Sequence, residues 1–132
     1  MTQEKIYDLE ERTFVFSKRI VCLVKALPKN TINFEFGSQV IRSGCSIGAN
    51  YIEANEALGR KDFLMRMKIS RKECKETIYW LKLIIENNPE LESRIRPLLD
   101  EATELLKILS SIIEKSRKND EKSTCAVSSA RS

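Results

Sequence analysis

Apolar residues recur in this chain at alternating intervals of three and four through four stretches, and helix-breaking residues separate them. That spacing belongs to helices packed lengthwise against one another. The first stretch covers residues 2–27, with Ile6, Leu9, Thr13, Phe16, Ile20, Leu23 and Leu27 on one side. Phe14, Val21 and Val24 widen that stripe, and Pro28 ends it, because proline disfavours helical geometry in the residue before it. Residues 29–34 read as a loop, with Asn30 and Asn33 as turn formers. A second helix over 35–58 carries Gly37, Val40, Gly44, Ile47, Tyr51, Ala54 and Leu58, and Gly59 suits a left-handed residue closing it. A third helix over 60–87 carries Phe63, Met67, Ser70, Cys74, Thr77, Leu81 and Ile84, and Asn87-Asn88-Pro89 breaks it.

Residues 90–96 read as a short helical turn, and Pro97 suits the first turn of a fourth helix. That helix carries Leu98, Ala102, Leu105, Leu109 and Ile112, flanked by Leu99, Leu106 and Ile113, and fades near Lys118. From Asn119 the sequence is polar and small with no apolar stripe, so a disordered tail is expected. Short connections favour antiparallel neighbours. The expected fold is all-α: an antiparallel up-down-up-down four-helix bundle over residues 1–118, with a disordered C-terminal tail over 119–132. A chain of 132 residues is one domain and needs no disulfide or metal to hold its core.

Composition narrows the chemistry. There is no histidine, which removes the commonest general base and the commonest metal ligand. No enzymatic activity, cofactor or metal site is expected. Cys22, Cys45, Cys74 and Cys125 form no Cys-x-x-Cys clamp, and the first three fall at or beside apolar helical positions. They read as free thiols in a reducing compartment. The longest apolar run, residues 20–24, is too short to cross a membrane, and the N-terminus has no apolar leader. A cytoplasmic protein without a membrane partner is the expectation. The formal net charge of +4 is mild, so its distribution matters more than its sum.

On the third helix, Met65, Ile69, Tyr79 and Leu83 point away from the core stripe. An outer face of a lone bundle should be polar. Two opposed apolar stripes suit a helix that meets its own core on one side and another chain on the other. Lys61, Lys68, Lys75 and Lys82 recur every seven residues, with Arg71 and Lys72 beside them. Seven residues is nearly two turns, so these lysines stack over roughly 30 Å of helix. Such a row matches the linear charge of a nucleic-acid backbone, RNA or DNA. A solvated helix face, partly neutralised by Glu73 and Glu76, is the alternative. No aromatic side chain is read among the lysines, and no base-reading motif accompanies them.

The second helix places Arg42, Ser46, Asn50 and Glu53 on one face. Glu53 and Glu56 could be taken for paired catalytic carboxylates, but no glycine-rich cradle, pocket loop or histidine accompanies them. A hydrogen-bonded seam between helices or subunits accounts for Arg42, Asn50 and Glu53.

Gln39-x-x-Arg42-Ser-Gly-x-Ser46-Ile47-x-x-Asn50-x-x-Glu53, then Arg60-x-Asp62-Phe63, then Lys72-Glu73-x-x-Glu76-Thr77-x-Tyr79-Trp80-Leu81, resembles the four helix bundle protein family. Its best-known members are encoded in intervening sequences of bacterial large-subunit ribosomal RNA genes. A related branch is the accessory protein of diversity-generating retroelements. The resemblance spans residues 14–118, with one departure: Ala54 follows Glu53 where many members have glycine. It implies a four-helix bundle assembled as a ring-like homopentamer, and in the retroelement branch an affinity for nucleic acid and a reverse transcriptase. Two functions follow as expectations: a nucleic-acid-binding oligomer, or a scaffold that docks a partner protein.

Overall fold

The computed structural model describes the backbone of residues 8–131 and the side chains of residues 8–119. Its elements are α1 (Leu9–Ala26), α2 (Thr31–Asn55), α3 (Arg60–Asn87), a 3-10 turn (Pro89–Leu91) and α4 (Glu92–Arg131). Each helix packs against its neighbour in sequence, and α1 also meets α4, which closes a four-helix bundle. Residues 1–7, including Ile6 and the expected first turns of α1, lie outside the described residues. The buried stripe of α4 ends at Ile113, and the side chains of the expected tail from 120 onward are also outside them.

Asp8 caps α1 by accepting a hydrogen bond from the Glu11 amide at 3.2 Å. Glu10 and Glu11 sit in its first turn and Lys25 in its last, each favoured by the helix dipole. Leu27, forced extended by Pro28, stops it. The loop expected over 29–34 is instead mostly helix. Asn30 is the N-cap of α2, accepting from the Asn33 amide at 2.9 Å, so α2 starts four residues before position 35. Asn33 is buried rather than in a turn. Its amide exchanges hydrogen bonds with that of Asn88 at 3.0 and 2.9 Å, and its nitrogen also donates to the Pro28 carbonyl at 2.8 Å.

The other end of α2 is also shifted. The helix stops at Asn55, and Leu58, expected in the core, is fully exposed. Gly59 does not close α2 with a left-handed backbone. At φ −148° and ψ 164° it is the extended N-cap of α3, the backbone an N-cap requires, and its carbonyl accepts from the Phe63 amide at 3.0 Å. α3 has the bounds its periodicity gave. Pro97 lies inside α4 rather than in its first turn, because the 3-10 turn begun at Pro89 leads directly into helix at Glu92. Proline cannot donate to the carbonyl four residues back, but Ser93 there is exposed to water.

Of the described stripe residues, those of α1 and most of those of α2, α3 and α4 form one core. Ile95 and Ile113 are buried as well, whereas Ile112 is half-buried and Phe14 lies exposed. Small residues let α1 and α2 approach closely. A Cβ on Gly44 would sit 3.1 Å from Ile20 Cγ1, and one on Gly48 would sit 2.7 Å from Thr13 Oγ1. Between α2 and α3 the Ser70 hydroxyl donates to the Ile47 carbonyl at 2.7 Å, and the hydroxyls of Thr77 and Ser43 are bonded at 2.9 Å. Between α3 and α4 the Cys74 thiol donates to the Ala102 carbonyl at 3.2 Å. Each polar core residue is thus bonded, which is what makes its burial tolerable.

Candidate nucleic-acid interface and subunit surface

The core contacts of α3 orient its other faces. Ser70 and Thr77 look to α2 and Cys74 looks to α4, so the lysine row falls on the α4 side of the outer surface. Lys61, Lys68, Lys75 and Lys82 are all exposed, and among the described residues none is in an ion pair. Arg71 is half-buried at the inner edge of the row. Lys72 is exposed but lies 3.7 Å from Glu73. Lys61 and Lys68 also line an open groove of about 920 Å³ with Arg60, Asp62, Leu64 and Met65.

Sequence reasoning found no aromatic among these cations. Tyr79, 59% exposed and edge-on to Trp80 at 5.3 Å, lies one turn from both Lys75 and Lys82. It had been grouped with the apolar stripe and sits on the border of the two surfaces. The signal was its spacing of four and three from the two lysines.

Met65, Ile69 and Leu83 occupy the α2 side of the same outer surface. Met65 is 49% exposed, and Ile69 and Leu83 are half-buried. The polar residues of α2 border this strip. Arg42 and Glu53 are exposed, and Ser46 and Asn50 are half-buried. The Ser46 hydroxyl donates to the Arg42 carbonyl at 2.6 Å and the Asn50 amide to the Ser46 carbonyl at 2.9 Å. These two bonds stay within α2. The pKa of the Glu73 carboxyl is raised by burial and by Glu76, and drawn back by Lys72 and by Arg42 of α2.

A further apolar surface was not read from the sequence. Phe14 and Phe34 are 58% and 62% exposed, and Ile52 is 44% exposed. Phe34, Ile41, Cys45 and Ile52 are spaced seven, four and seven, so they share one face of α2. Phe14 and Val21 are likewise seven apart on α1. The contact of Val24 with Gly37 sets these faces side by side. Where they meet, a notch of about 320 Å³ is lined by Val21, Lys25, Phe34 and Ile41 among others. The pattern was legible, but reading 29–34 as loop cut Phe34 out of it.

The thiols differ by place. Cys74 is buried, and burial pushes its pKa up to about 12; Cys45 is half-buried and Cys22 exposed. Cys22 lies on the outer, solvent-facing side of α1. Among the described residues no cluster of three or more His, Cys, Asp or Glu side chains could hold a metal. Nor is any helix among them long and apolar enough to cross a membrane.

A crystal structure of a protein of unknown function from the S23 ribosomal protein family of Bacteroides thetaiotaomicron is similar to this chain. The two are 38% identical with a TM-score of 0.73, over 79% of this chain and 96% of that one. No curated protein matches the chain. The family described as 23S rRNA-intervening sequence protein matches residues 6–111, which takes in all of α1, α2 and α3 and the buried part of α4 up to Leu109. The lysine row and both bordering faces therefore lie on a scaffold shared with that family, and the chain belongs to the 23S rRNA-intervening sequence proteins.

Proposed function

We propose that this protein is a non-enzymatic cytoplasmic oligomer that binds the backbone of RNA or DNA through the lysine row of α3. The observation that carries this reading is the condition of that row. Four lysines at seven-residue intervals stand exposed along one helix face, with no carboxylate paired to them among the described residues. A cation that is already free of acidic partners gives up little when it meets a phosphate and releases a counterion. Tyr79 supplies a ring beside the row on which an unpaired base can stack. No side chain is arranged to read base edges, so recognition is by charge and shape. A single row binds weakly, and the ring of five copies implied by the family resemblance would raise affinity through effective concentration. The absence of histidine from the sequence, and the free thiols, suit a non-catalytic role in a reducing compartment.

The test is fluorescence anisotropy with a structured RNA and a DNA duplex across a salt titration. Each engaged row of four phosphate contacts should add about −3.6 to the slope of log affinity against log salt on duplex DNA. Reversing Lys68, Lys75 and Lys82 to Glu should abolish binding at all salt concentrations. Equal affinity in that variant would sink the reading. A second function, docking of a partner protein, is favoured by the exposure of Met65 beside half-buried Ile69 and Leu83. It loses its basis if Met65→Asp with Leu83→Asp keeps both assembly and partner capture.

A further inference from the structure

We infer that the lysine row of α3 takes single-stranded nucleic acid rather than duplex, with unpaired bases lying on two apolar platforms built into the row. This rests on the nucleic-acid reading above and names the class of strand that the same site takes.

The residues between successive lysines point to it. Each gap holds a pair of side chains, one on either flank of the row. Leu64 and Met65 stand between Lys61 and Lys68, Arg71 and Lys72 between Lys68 and Lys75, and Ile78 and Tyr79 between Lys75 and Lys82. The gaps are thus apolar, cationic and apolar in turn. Leu64 and Ile78 are half-buried against the core on the α4 flank, and Met65 and Tyr79 are the exposed members on the other. The two platforms are about 21 Å apart along α3, with Lys68, Arg71, Lys72 and Lys75 between them. Leu64 and Met65 line, together with Lys61 and Lys68, the open groove at the start of the helix.

The second platform is braced. Tyr79 meets Trp80 edge-on at 5.3 Å, and Trp80 meets Phe36 of α2 at 6.0 Å. Phe36 and Trp80 are half-buried, so the three rings lead from the contact of α2 with α3 out to the lysines. A ring held in this way loses little freedom when a base stacks on it. A duplex keeps its base faces inside the stack and would leave both platforms in water. A single strand presents phosphates and base faces together, so it meets the central cations and the platforms at once.

The surrounding charge suits a polyanion. α3 carries eight cations and four carboxylates. Of the six cations in the row and its gaps, Lys72 alone is in an ion pair among the described residues, with Glu73. Glu76 and Glu86 are the carboxylates nearest Tyr79, and Lys72, Lys75 and Lys82 outnumber them. Asp62, beside Met65, is answered by Lys61 and Lys68. The flank of α4 toward the row carries Arg96, Lys107 and Arg117 with Glu92, Asp100 and Glu114, and so adds no net charge.

The experiment sets an oligothymidylate against a DNA duplex of the same length on the full chain. It reads anisotropy across a salt titration and the fluorescence of Trp80, the single tryptophan. The single strand should stay bound at salt that releases the duplex, because stacking is not screened, and it alone should quench Trp80. Tyr79→Ala should weaken the single strand roughly tenfold and leave the duplex unchanged, whereas Tyr79→Phe should keep the parent affinity. Met65→Ser should weaken the single strand by a smaller factor. A duplex that outlasts the single strand, an unquenched Trp80, or parent affinity for the single strand in Tyr79→Ala or Met65→Ser overturns the inference. The reversal of Lys68, Lys75 and Lys82 tells the two readings apart. If it abolishes binding of both probes while Tyr79→Ala changes neither, the row stands and the platforms fall. If it changes neither probe, the row falls and the platforms with it.

Discussion

Gly48 shows how little room separates α1 from α2. An added methyl would meet Thr13 Oγ1 at 2.7 Å, and Thr13 is itself held by a bond to the Leu9 carbonyl at 2.9 Å. Alanine would gain about 1 kcal/mol of helix propensity there. Overpacking costs about 1–3 kcal/mol, so Gly48→Ala should be net destabilising in urea unfolding. Gly59, with no atom within 4 Å of an added Cβ, is the contrast. Gly59→Ser would supply the side-chain cap α3 lacks and should raise stability by a few tenths of a kcal/mol. The need for small residues at 44 and 48 was legible in the sequence, since two glycines mid-helix ask for a reason. The role of Gly59 was not, because glycine serves both a left-handed cap and an extended N-cap.

Cys74 belongs to the same scale. Its thiol, with an ordinary value of 9.0, is pushed up to about 12 by burial. Between those values the unfolded chain has lost the proton and the folded chain has kept it. The folded state then binds more protons, so stability falls as pH rises through that window. Urea midpoints measured from pH 8 to pH 11 should decline, and Cys74→Ala should flatten the decline. A thiol reagent at pH 8 should label Cys22 quickly and Cys74 only as fast as the chain unfolds.

Among the elements, the corner between α1 and α2 is tied to the end of α3. Asn33 and Asn88 exchange two bonds, Asn87 donates a third to Asn33 at 3.0 Å, and Asn88 donates to the Ile84 carbonyl at 2.9 Å. Removing one partner strands the other in the core, which costs about 1–3 kcal/mol. Asn88→Ala and Asn33→Ala should each cost that much, and the double variant less than their sum, in a double-mutant cycle. The stripes of all four helices were readable because burial repeats with the helix. Ends were readable only where one breaker acts alone. Pro28 stopped α1 where expected, but Asn30 serves a cap as well as a turn. Pro97 was misleading because the helix had already begun.

At the scale of the molecule, the lysine row was visible at once, since it lies within one helix and repeats every seven residues. The two faces beside it were not equally visible. The α3 strip shows as a second apolar side on one helix. The α1/α2 face is divided between two helices, and only their packing joins Phe14 to Ile52. Sequence periodicity reports on single helices and is silent about surfaces made by two.

The four helices do not hold one another equally. α1 meets α2 far more extensively than it meets α4. Across that lighter boundary Arg12 donates two bonds to Glu101, at 2.7 and 2.8 Å. The fork acts as a clasp across it, and the arginine proton is held more tightly for it. Native-state hydrogen exchange of Glu101→Gln should therefore show faster opening of α1 while α3 keeps its protection. A bundle fastened in this way behaves like a book with α2 as its spine, and its first cover can lift before the pages come loose.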